Sequence, residues 1–208
     1  MTDQTRTIDD LAVDQHNFTV LSFFRGEWCP FCQSFSRELN GSFREQVIAA
    51  GGQLVGITSQ SAEAARSARK NWQLDYDVIS DPTTELAKSF GIDITPKAES
   101  PLAEHPTEYP NGMSQSGVIV LNRDGQELYN WAVNPAVVNV FGASDRPLPS
   151  DVWAAIEAAL AGEDEPVQSA GRVDPAFLAA NYPEQYAAFA AFAETLPEEV
   201  QREMRAVS

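Results

Sequence analysis

Cysteine, histidine and lysine are all scarce in this chain of 208 residues, which holds two, two and three of them. Two cysteines are too few for a disulfide-laced scaffold. With only His16 and His105 to join them, and no second cysteine pair, the set of about four donors that structural zinc requires is missing. Basic residues are outnumbered 14 to 30 by Asp and Glu, and the resulting charge of −16 disfavours nucleic acid or an anionic membrane as partner. No stretch approaches the roughly 18 apolar residues that cross a bilayer. The opening Met1-Thr-Asp-Gln-Thr-Arg-Thr7 lacks the apolar core of a secretory signal. The expectation is a cytoplasmic chain with no membrane and no nucleic-acid partner.

What is present is concentrated in Arg25-Gly26-Glu27-Trp28-Cys29-Pro30-Phe31-Cys32, where a β-pattern hands over to a helical one. Four readings of the cysteine pair compete: a structural disulfide, a metal site, two inert core residues, and a redox pair. A disulfide across a two-residue spacer closes too short a loop to stabilise much. The metal reading lacks ligands. The redox reading explains the placement. A thiol at a helix start meets unpaired backbone N–H groups that favour thiolate, and a second thiol one turn on shares its face. Cys29 is then the expected attacking sulfur and Cys32 the resolving one. Arg25, the nearest cation in sequence, is the candidate to stabilise the thiolate. Glu27 is read as an exposed loop charge rather than a proton acceptor for Cys32, and Trp28 as packing beside the thiols. His16 and His105 are read as solvated loop residues.

Strand patterns fall at 18–24, 54–58, 76–80, 117–121 and 127–132, with Asn122-Arg-Asp-Gly125 as a hairpin turn between the last two. Helical patterns fall at 29–50, 59–72, 82–90 and 149–160. This alternation predicts an α/β fold, with a mainly parallel β-sheet and helices on its faces. Residues 92–113, with four prolines, read as a long surface loop, and 134–149 as another. The expected division is a redox domain over 1–165 and an acidic helical C-terminal extension over 166–208. From Asp151 onward eleven acidic residues stand against three arginines. The extension is open to three uses: covering the sheet, a homodimer contact, or solubility.

The stretch Phe23-Phe-Arg-Gly-Glu-Trp-Cys-Pro-Phe-Cys32 resembles the active-site turn of the thioredoxin-like superfamily. Its surroundings resemble the peroxiredoxin-like branch, alkyl hydroperoxide reductase/thiol-specific antioxidant. The matching blocks are Val55-Gly-Ile-Thr-Ser-Gln-Ser61, the run from Ile79 to Gly91, and Gly117-Val-Ile-Val-Leu-Asn-Arg-Asp-Gly125. The resemblance covers about residues 17–161. It implies a thioredoxin-like α/β fold, a central mixed β-sheet flanked by helices, with a C-terminal helical extension. Two family features differ. The pattern Pro-x-x-x-Thr/Ser-x-x-Cys is met by neither cysteine, and Gln115-Ser116 stands where peroxiredoxins place an arginine before a strand.

The resemblance implies an antioxidant oxidoreductase that reduces peroxides through Cys29 and Cys32. A thioredoxin-like or glutathione reductant recycles it, and no metal or organic cofactor takes part. The rival enzymatic reading is a reductase of protein or glutathione mixed disulfides using the same two sulfurs. A third reading is a redox sensor whose acidic tail binds a partner.

Overall fold

The computed structural model describes residues 11, 13–96, 109–136, 139–163, 170–172 and 175–206. Residues 97–108 of the proline-rich stretch, His105 among them, lie outside these, as do 164–169 around the expected domain boundary. Five strands make the main sheet: β1 (Phe18–Phe23), β2 (Gln53–Thr58), β3 (Asp77–Ser80), β6 (Gly117–Asn122) and β7 (Glu127–Ala132). Their order is β3-β2-β1-β6-β7. The first three run parallel, while β6 and β7 pair antiparallel, which makes the sheet mixed as expected.

β1 is central and buried on both faces, which is why its sequence is a dense run of apolar and β-branched residues, broken only by the buried hydroxyls of Thr19 and Ser22, rather than an alternation. Alternate side chains still go to opposite faces. Phe18 and Val20 join Val118 and Val120 under α1 (Pro30–Glu38), α2 (Arg44–Ala49), α3 (Ala62–Asn71) and α5 (Pro149–Ala161). Leu21 and Phe23 join Ile57, Ile119 and Leu121 against α4 (Glu85–Ser89). Each such fully buried Leu, Ile or Phe contributes about 1.5–3 kcal/mol. The sheet therefore holds the end of β1, where the cysteines begin, as a rigid platform. No helix among the described residues is long and apolar enough to cross a membrane.

Several expectations need correction. The helix expected over 29–50 is broken: α1 passes through a wide turn, Leu39–Phe43, before α2. Gly41 is non-helical there, and the Asn40 side chain leaves the helix to accept the Asp75 N–H at 2.9 Å. Leu39 and Phe43 both stay in the core. The stretch 92–113 is not all surface. It contains β4 (Ile94–Thr95) and β5 (Met113–Ser114), which pair, and Tyr109 and Met113 are fully buried. The loop expected over 134–149 contains β8 (Asp145–Pro147), paired antiparallel with β9 (Ala170–Arg172).

The hairpin between β6 and β7 forms as its turn chemistry demands. The Asn122 carboxamide oxygen accepts the Asp124 and Gln126 N–H groups, both at 2.9 Å, and Gly125 takes φ +77°. After α5 and β9 come α6 (Pro175–Asn181), α7 (Pro183–Glu194) and α8 (Glu198–Ala206).

Candidate active site

Cys29 ends the turn after β1 and caps α1. Its sulfur accepts the Cys32 N–H at 3.3 Å, Pro30 supplies a pre-set φ at the first helical position, and its own N–H donates to the Gly26 carbonyl at 3.1 Å. Cys32 follows one turn on. The two sulfurs are reduced and 2.6 Å apart, close enough to share one proton and to close a disulfide with little backbone movement. Both residues are only 1% exposed, so neither sulfur meets bulk water.

Two buried guanidiniums flank the pair. Arg25 is 4% exposed and lies 5.9 Å from the Trp28 ring centroid. Its Nε has no hydrogen-bond partner among the described residues. Arg146, from β8, is 3% exposed and donates through Nη2 to the Cys32 sulfur at 3.5 Å. It also donates to the Gly142 and Asp145 carbonyls and stands over the Phe35 ring. Asn139 orders the loop that delivers it. The Asn139 carboxamide oxygen accepts the Ala136 and Gly142 N–H groups, each at 2.8 Å.

These contacts divide the pair electrostatically. Burial pushes the Cys32 thiol up, but the hydrogen bond with Cys29, the charges of Arg146 and Arg25, and the Arg25 backbone N–H together bring it down to about 5. Cys29 is raised well above its ordinary value, by burial first and then by its hydrogen bond with Cys32 and the charge there.

The turn itself is held by a polar cluster. Tyr109 Oη donates to the Arg25 carbonyl at 2.9 Å and accepts the Trp28 indole N–H at 2.7 Å. The Glu27 N–H donates to the Gln60 side chain at 2.7 Å. Glu27 is not the exposed charge expected: it is half-buried, and its carboxylate accepts from Ser67 and from Asn71. His16 is half-buried, and its backbone carbonyl accepts from Arg123.

The chain thus brings Cys29, Cys32 and Arg25 together, with Trp28 packed against the cluster that holds both cysteines. Sequence reasoning misses Arg146. A signal for it exists: it is the one Lys or Arg between Arg123 and Arg172. Among the described residues no group of three or more His, Cys, Asp or Glu is placed to hold a metal ion.

The family model for the AhpC/TSA family matches residues 2–126, more than half of the chain. The chain belongs to that family. As an AhpC/TSA protein it is a thiol-dependent oxidoreductase of the peroxidase class, within the thioredoxin-like superfamily. Among solved structures it resembles the Xanthomonas campestris bacterioferritin comigratory protein, at 15% identity and a TM-score of 0.51, over 70% of this chain and 81% of that one. A cysteine-to-serine mutant of Xanthomonas campestris peroxiredoxin Q gives 16%, 0.51, 70% and 81%. An uncharacterized conserved protein from Geobacillus kaustophilus gives 18%, 0.51, 80% and 80%. These likenesses show the thioredoxin-like fold. No curated protein matches.

Helices α6 and α7 lie beside this AhpC/TSA site. Leu178, Tyr182, Tyr186 and Phe189 face Pro30 and Phe31 across a narrow cleft of about 20 Å³, and the Phe31 and Phe189 rings meet edge-on at 6.0 Å. Tyr182 lies near both Arg37 and Cys29. Phe189→Ala is therefore expected to raise the rate at which a small thiol reagent reacts with the reduced protein, by about threefold to tenfold. The check is pseudo-first-order labelling with a chromogenic disulfide, and an unchanged rate would mean that α7 does not limit access.

Proposed function

We propose that this AhpC/TSA protein reduces hydroperoxides with two electrons drawn from the Cys29/Cys32 pair, and that a thioredoxin-type or glutathione thiol recycles it. The observation that supports this most is the pair of reduced sulfurs at 2.6 Å beneath two buried guanidiniums. One sulfur attacks as thiolate and the other resolves. A thiolate attacks the near peroxide oxygen, the O–O bond breaks, and the departing alkoxide or hydroxide takes a proton. The sulfenic acid so formed condenses with the neighbouring thiol, releasing water and leaving a disulfide. An external dithiol then returns two electrons and two protons. Arg25 stabilises the charge on the pair.

Burial sets this reading above disulfide reduction. Sulfurs 1% exposed admit a small peroxide far more readily than a protein or glutathione disulfide. A cytoplasmic setting, where thiols stay reduced, suits the same chemistry.

The test is steady-state turnover of hydrogen peroxide, an organic hydroperoxide and a small disulfide, each with a thioredoxin recycling system. Wild type is expected to turn over both peroxides, and Cys29→Ser and Cys32→Ser each to lose about a hundredfold or more. Fast disulfide reduction with peroxide ignored would hand the assignment to the rival reading.

A further inference from the structure

When the pair loses one proton, each sulfur has a claim on the negative charge. Cys29 has the helix start, worth about half an elementary charge spread over several N–H groups. Cys32 has the whole charge of Arg146, 3.5 Å away. Arg146 is 3% exposed, and its other partners are neutral: the Gly142 and Asp145 carbonyls and the Phe35 ring. A buried cation needs a counter-charge, and the described residues offer Arg146 no carboxylate in an ion pair. We infer that Arg146 is a catalytic residue, the buried counter-charge of a Cys32 thiolate, which makes Cys32 the attacking sulfur and Cys29 the resolving one.

This reverses the order expected from the sequence. The helix start at Cys29 is visible there, whereas the competing cation is 114 residues away from Cys32. The roles in attack rest on the peroxide chemistry proposed above; the placement of charge does not. In the cycle, Cys32 as thiolate takes the peroxide oxygen and is oxidised to sulfenic acid, while the peroxide is reduced to alcohol or water. Cys29 then gives up its proton and attacks the Cys32 sulfur. Hydroxide leaves, takes a proton and departs as water. Among the described residues, the charged and titratable groups facing the pair are Arg25 from the turn, Arg146 from β8 and Tyr182, which itself lies near Arg37. Glu27 is turned away, toward Ser67 and Asn71.

The test titrates single-thiol variants of the full chain by thiolate absorbance in the ultraviolet, which needs no reagent to enter the site. The remaining thiol of Cys29→Ser is expected to ionise at least about two pH units below that of Cys32→Ser. Adding Arg146→Gln to Cys29→Ser is expected to raise its midpoint by about one unit or more, and Arg146→Lys by less. An equal or reversed order of the two midpoints overturns the inference, and so does a folded Arg146→Gln variant with an unmoved midpoint. Should Arg146→Gln fail to fold, as read by circular dichroism, the two single-thiol midpoints decide alone. Trapping of sulfenic acid after peroxide treatment then assigns attack: it is expected in Cys29→Ser, and its appearance in Cys32→Ser alone overturns the order. If neither variant forms sulfenic acid while the midpoints fall as expected, peroxide reduction fails and the charge placement stands.

Discussion

Oxidation of the reduced protein by hydrogen peroxide is expected to proceed at nearly constant rate from pH 8 down to pH 6, and to fall tenfold per unit only below about pH 5. The reason is the Cys32 thiol: burial raises it, but the hydrogen bond with Cys29 and the charges of Arg146 and Arg25 outweigh that and bring it to about 5. An ordinary cysteine ionises near 8.5, so at pH 6 its thiolate fraction is ~300-fold smaller. Stopped-flow fluorescence is the natural measurement, since Trp28 sits beside the pair. A rate that halves near pH 8 would show that the buried charges do not hold a thiolate at all. The same shift predicts stability. A thiol whose folded value lies below its unfolded one adds stability that is complete above about pH 8.5 and is lost as pH falls through about 5. Cys29, raised in the folded protein, acts in the opposite sense at alkaline pH. Denaturant midpoints should therefore rise between pH 5 and about 8 in wild type and rise less in Cys32→Ser.

Much of this is readable in the sequence wherever the cause is local. β1 and β6 announce themselves as apolar runs because both faces of the sheet are covered. The β6–β7 hairpin is readable because Asn122 and Gly125 carry the turn in their own chemistry. Cys29 and Cys32 are readable by spacing alone. What escapes depends on residues far apart. β8 is three residues long, ends on a proline and is defined by a partner after α5. Tyr109 looks like part of a polar loop until the cluster around Arg25 and Trp28 buries it. Arg146 belongs to that class. It supplies from β8 a cation that peroxiredoxins, in the resemblance drawn from the sequence, place just before the strand equivalent to β6, where this chain has Gln115-Ser116. The site keeps its buried cation and takes it from a different part of the chain.

The second large effect is expected at Gly26. Gly26→Ala should slow peroxide oxidation by about tenfold or more and lower the melting temperature by roughly 4–10 °C, as overpacking in a rigid place does. A methyl group there would lie 2.7 Å from the Trp28 indole nitrogen and 2.8 Å from the Gln60 side-chain oxygen, and would collide with Tyr109 Oη. None of the three can retreat freely. Tyr109 is fully buried and bonded to both the Arg25 carbonyl and Trp28, and Gln60 holds the Glu27 N–H. The strain therefore passes into the turn that aims Arg25 and Cys29, so activity suffers with stability. Combining Gly26→Ala with Tyr109→Phe separates collision from mere loss of contact. Removing the hydroxyl relieves the closest clash, so the double variant should be less destabilised than the sum of the two single changes, by about 0.5–3 kcal/mol in denaturant unfolding. Strict additivity would mean that Tyr109 moves aside in Gly26→Ala and that the turn is softer than its hydrogen bonds imply.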